Sequence, residues 1–223
     1  MIRHYLDHNA TAPVRPEVID AVSSAMARVG NASSVHDEGR AAHAQVEDAR
    51  EAVRRLVNGP VNGVVFTSGG TESIHAAIHG VAAKIARVFV SAIEHAAVTA
   101  NAEATGLPVE TIPVSPSGAV DLDGLKARLD AYDVNRDGGF LVCVMAANNE
   151  TGAVQPIAEI ADLVHDAGGL LFVDAAQAAG KIPVNFVMAG ADMMSLTGHK
   201  FGGPLGVGAL VLRPNLALEP VLR

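Results

Sequence analysis

Five times along this chain a short apolar run ends abruptly in a polar cluster. Val64–Thr67 runs into Ser68–Glu72, and Val88–Ala92 into Glu94-His95. Phe140–Met145 leads to Asn148–Gly152, Leu170–Val173 to Asp174–Gln177, and Met193-Met194 to Ser195–Lys200. Val109–Val114 and Val207–Leu212 are further apolar runs. Helical patterns lie between them: from Thr71, after His95, near Leu122–Leu129, and from Pro156-Ile157 to Ala167. Continuous apolar runs alternating with helices predict an α/β fold, a mostly parallel sheet covered on both faces. Ligands of open α/β sheets bind at the carboxyl ends of the strands, where all five clusters fall.

Upstream, Tyr5–Pro13 is polar and irregular. Pro16-Glu17 suits a helical first turn, and Val18, Val22, Ala25, Met26 and Val29 share one face. A second helix runs to about Val57, with Ser34 or Asp37 as its expected cap and an apolar stripe through Val46, Ala49, Val53 and Leu56. Its charged face (Glu47, Asp48, Arg50, Glu51, Arg54, Arg55) reads as solvated ion pairs.

Composition limits the partners. At 223 residues and 49% hydrophobic, the chain can bury a sizeable core. A formal charge of -8 argues against nucleic-acid and anionic-membrane binding. Cys143 is the single cysteine, so no internal disulfide forms and a cytoplasmic protein is expected. No apolar run approaches the ~20 residues of a membrane span, and the first residues carry no apolar signal region.

Lys200 stands in a polar, glycine-bounded loop, where an amine suits Schiff-base chemistry or is merely solvated. Gly69-Gly70-Thr71 joins a run to a helix, which is either an anion cradle or an ordinary turn with a Thr cap; the Walker spacing is absent. Asp174 needs a partner at the end of a buried run: a pyridinium N–H, a salt bridge or a helix cap. His95 suits stacking on a flat ring or proton transfer, or is structural, and Asn149 is an amide donor or a turn residue. Thr197 and His199 could reach the same anion as Thr71. An anion cradle, a carboxylate, a flat ring, amide donors and an amine are together what pyridoxal 5′-phosphate (PLP) requires. No metal site is expected.

The stretches YLDHNATAP (5–13), GNASSVH (30–36), FTSGGTES (66–73), EHAAV (94–98), MAANNETGAVQPI (145–157), VDAAQAAGK (173–181) and SLTGHKFGGPLGVG (195–208) resemble the class V aminotransferase family, specifically the cysteine desulfurases of the NifS/IscS type. The resemblance implies a fold-type I PLP enzyme with a three-layer α/β/α large domain, a mainly parallel seven-stranded sheet, and a homodimer with active sites at the subunit interface. It assigns residues 1–14 to a segment packing with a small domain and 15–223 to the PLP-binding domain, with the C-terminal small domain absent. By motif, Lys200 carries the cofactor, Asp174 pairs with the pyridine nitrogen, and Gln177 and Asn149 lie on its phenolic-oxygen side. His95 stacks on the ring and assists proton transfer. Gly70, Thr71, Thr197 and His199 hold the phosphate. L-cysteine becomes L-alanine, and sulfur is left as a persulfide for an acceptor protein.

The implied nucleophilic cysteine and carboxylate-gripping arginine belong to the small domain, so the expectation is a cofactor-binding part inactive alone. Cys143, inside an apolar run, is not expected to replace that cysteine. A missing small domain is expected to leave apolar surface near Leu216–Leu222. Ala12, Ile74-His75 and Leu205 depart from the family pattern. Other class V reactions (selenocysteine lyase, aminotransferase, epimerase) and a non-catalytic PLP-binding or dimer-forming module are the alternatives.

Overall fold

A computed structural model describes residues 4–220. Its helices are α1 (Pro16–Met26), α2 (Asp37–Leu56), α3 (Gly70–Val81), α4 (Ala96–Ala104), α5 (Leu122–Asp130), α6 (Val134–Asp137) and α7 (Ile157–Asp166). The strands are β1 (Val64–Thr67), β2 (Arg87–Ser91), β3 (Val109–Ile112), β4 (Phe140–Met145), β5 (Leu170–Asp174), β6 (Met193–Thr197) and β7 (Gly208–Leu212). They form one seven-stranded sheet in the order β1-β7-β6-β5-β4-β2-β3. Only β7 is reversed, pairing antiparallel with both β1 and β6. The other six therefore point the same way and end at one edge.

The pleat sends successive side chains to opposite faces, and each face has its own core. Phe89, Val142 and Leu171 face one side, under α5 and α7 through Leu125, Ile160 and Val164. Val88, Leu141, Cys143 and Phe172 face the other, under α3 and α4 through Ile78, Val81, Val98 and Ala102. β4, buried along its whole length, lies between these two layers, which is why its sequence is apolar at every position. The observed architecture is three-layer α/β/α.

The apolar face of α1 meets no core: none of the helix's residues is buried, and Val22 and Met26 are exposed, as is Val29 beyond its end. Two local expectations need correction. The cap of α2 is neither Ser34 nor Asp37 but His36, whose Nδ1 accepts the Gly39 amide at 3.3 Å. Leu216 and Leu218 do not stand free. They pack on the α3–α4 core, and Leu218 fills the space beside Gly80, where a Cβ would meet it at 2.9 Å. Leu222 lies outside the described residues.

Candidate active site

The shared strand edge gathers every candidate side chain around one cavity of about 210 Å³. Gly70 and Thr71 reach it from the first turn of α3, and His95 from the N-cap of α4. Asn149 comes from the turn after β4, and Asp174 and Gln177 from the end of β5. Thr197 ends β6, and His199 and Lys200 occupy the 3-10 turn that follows. Ile74, Met145 and Ala147 supply apolar wall.

On one side the cavity meets a helix N-terminus. The first intrahelical bond of α3 is Ser73 N–H to Gly69 O at 3.1 Å, so the amides before Ser73 have no acceptor within the helix. Glu72 anchors the loop by accepting the Ser68 amide at 2.6 Å, and the Ser68 hydroxyl and amide hold its carboxyl below the ordinary range. The loop can lie this low because β7 offers glycine beneath it. A Cβ on Gly208 would meet the Gly69 backbone at 2.6 Å.

Asp174 is 5% exposed and is held by two donors on one oxygen. Ser195 Oγ–H donates to Oδ1 at 2.7 Å, and the Ala176 amide at 3.0 Å. Oδ2 is left for a donor in the cavity that Asp174 lines. His95 serves two ends at once. Its Nδ1 accepts the Ala97 amide at 3.1 Å, capping α4, while its ring lines the cavity. In the neutral ring the proton is then on Nε2.

Lys200 Nζ donates to Ala10 O at 2.9 Å and to Asn9 O. Burial pushes its pKa down, while Asp174 and Asp7 pull it back up. His199 is also lowered, by burial and then by the Lys200 charge. A lysine whose pKa is lowered by burial gives up its proton more readily, which suits a nucleophile or a base.

Two residues outside the sequence-derived set matter here. Asn9 bonds to Asn149, Gln177, Lys181 and Lys200, although it lies in an irregular segment with no periodicity to mark it. Glu94 accepts the Met145 amide at 2.6 Å, and its Oε2 is buried without a partner. Burial, reinforced by the Asp174 charge, raises its pKa well above the ordinary carboxylate range. Cys143 is fully buried and its thiol is also pushed well up, by burial first and Glu94 second. Among the described residues no group of three or more His, Cys, Asp or Glu could hold a metal, and no helix is long and apolar enough to cross a membrane.

Comparison with known proteins places the sequence and the fold in a family. The chain is 38% identical to an IscS-like cysteine desulfurase of Mycobacterium tuberculosis, across 98% of this chain and 57% of that protein. It is 40% identical to a cysteine desulfurase of Cereibacter sphaeroides, across 100% of this chain and 58% of that protein. The fold superposes on a NifS-like protein from Rickettsia africae with a TM-score of 0.90 at 32% identity, covering 98% of this chain and 60% of that one. It also matches SspA, solved in complex with cysteine, with a TM-score of 0.89 at 31% identity, covering 99% of this chain and 65% of that one. The chain thus spans rather more than half the length of these curated relatives. The class V aminotransferase family model matches residues 4–222, and the chain belongs to that family.

Proposed function

We propose that this chain is the cofactor-binding part of a PLP-dependent cysteine desulfurase, converting L-cysteine to L-alanine and passing the sulfur on as a persulfide. The observation that carries the reading is the convergence on one cavity of an amine, a carboxylate with a free oxygen, and a helix N-terminus flanked by hydroxyls. That donor set fits PLP: an aldehyde for the amine, a pyridine nitrogen for the carboxylate, and a phosphate for the helix end.

When bound, PLP supplies an electron sink for the charge left at a substrate α-carbon. The chain's own groups do the rest. Asp174, its Oδ1 fixed by Ser195 and Ala176, keeps Oδ2 available to hold a proton on the ring nitrogen. Thr71, Thr197, His199 and the first amides of α3 would bind a phosphate dianion, with Gly70 allowing close approach. The flat His95 ring would cover the cofactor, with Nε2 able to exchange a proton. Asn149 and Gln177 would offer amides to the phenolic oxygen. Lys200, held below its ordinary pKa by burial, anchors the cofactor and moves the α-proton.

Cys143 takes no part. A thiol that is fully buried and shifted upward is not a thiolate at neutral pH. The sulfur-accepting thiol therefore comes from outside these 223 residues. The single cysteine supports a cytoplasmic setting, and the exposed apolar side chains of α1 support a homodimer.

The test is spectroscopic and chemical together. L-cysteine added to the PLP-loaded chain should perturb the visible absorption. Sulfide release should stay absent until a thiol-bearing partner is supplied. Robust sulfide release by the chain alone would refute the reading.

A further inference from the structure

Residues 7–12 lie against the rim of the cavity as a strap, and Asn9 fastens it. The Asn9 Nδ2 donates to Asn149 O at 2.7 Å, and its Oδ1 accepts from Lys181 Nζ at 3.1 Å. Its main-chain oxygen accepts from Gln177 Nε2 at 2.9 Å and from Lys200 Nζ. Lys200 also donates to Ala10 O at 2.9 Å, and the Ala12 amide closes the strap on His199 O at 2.7 Å.

An asparagine in an irregular segment is ordinarily there to make a turn. Here the turn is made by Asp7, whose main-chain and side-chain oxygens both accept the Ala10 amide at 3.2 Å. The Asn9 side chain takes no part in it. Both its polar atoms go to partners 140 and 172 residues away: Asn149, which lines the cavity, and Lys181, which bonds to the cavity-lining Gln177.

The consequence falls on the Lys200 amine. A neutral lysine has two N–H bonds and one lone pair. The carbonyls of Asn9 and Ala10 take both N–H bonds, leaving the lone pair as the single free position on Nζ. Loss of that pairing would let the long side chain swing among rotamers.

The geometry points to Asn9 as a positioning residue: its side chain clamps the strap to Asn149 and Lys181, so that two fixed carbonyls orient the Lys200 amine. The role rests on the proposed use of Lys200 but concerns the free amine and is tested without cofactor. The charged groups around that amine are Asp174 and Asp7 as anions and Lys181 as a cationic neighbour, while the nearby His199 imidazole has its pKa lowered by burial and by the Lys200 charge.

The experiment compares the cofactor-free chain with Asn9→Ala. Acylation of each lysine by a small uncharged anhydride is followed across pH by peptide mass spectrometry, and hydrogen exchange is followed over residues 7–12. The expected result is lost protection of the Ala12 amide together with an upward move of the Lys200 midpoint, as the burial that lowers it is relieved. Lys84, which bonds to Ala217 O far from the strap, should keep its midpoint. A loosened strap with an unmoved Lys200 midpoint would overturn the proposal, because Asn9 would then be merely structural. Undiminished Ala12 protection would also overturn it, because the side chain would not be the clamp. If PLP cannot be trapped on Lys200 while these results hold, the cofactor reading falls and the clamp stands.

Discussion

Ser195 on β6 donates its hydroxyl to Asp174 Oδ1 across the paired strands at 2.7 Å, and the two residues are register partners. The sheet itself thus sets the direction of the carboxylate. Ser195→Ala leaves Asp174 with the Ala176 amide alone on that oxygen. The loss should cost about 1 kcal/mol in urea unfolding. It should also weaken PLP retention by about tenfold, or ~1.4 kcal/mol. Unchanged retention would mean that the serine is packing only.

Glu94 gives a pH prediction. Its folded pKa is raised above 4.5, so the folded state binds the proton more tightly than the unfolded one. Its contribution is fully present below 4.5 and is lost as pH rises from there through the folded value. Glu94→Gln keeps the acceptor for the Met145 amide and cannot ionise. Its urea midpoint relative to the native chain should rise over the pH range above the ordinary carboxylate pKa, as the native Glu94 ionises. A constant difference across that range would show that the carboxyl does not titrate with folding.

Gly208→Ala tests how the phosphate loop is seated. The new methyl would meet the Gly69 backbone at 2.6 Å and Thr67 Oγ1 at 2.8 Å. Relief requires β7 or the loop to move, with an expected cost of about 1–3 kcal/mol. Binding of PLP should weaken more than that of pyridoxal, which lacks the phosphate. Equal weakening for both would place the disturbance elsewhere.

Much of this was legible in the sequence because the relevant signals are local. The clusters after β1, β2, β4, β5 and β6 could be read one by one, and parallel strands necessarily bring their ends to one edge. The reversal of β7 was not legible, since Gly208–Leu212 has the same apolar character whichever way it runs. The amphipathic pattern of α1 marks a face but not what covers it, and here that face stays exposed. Asn9 escaped because its partners are 140 to 191 residues away. Glu94 escaped because a glutamate beside a histidine reads as polar loop, and only the fold shows its carboxyl to be buried.

Lys200, among all the lysines, is the residue proposed to carry the cofactor. Incubation with PLP, borohydride trapping and peptide mass spectrometry test it directly. One modified lysine, Lys200, is expected, with labelling abolished in Lys200→Ala. Equal labelling of the neighbouring Lys181, which shares the strap and also has a pKa lowered by burial, or no stable label with PLP in excess, would contradict it.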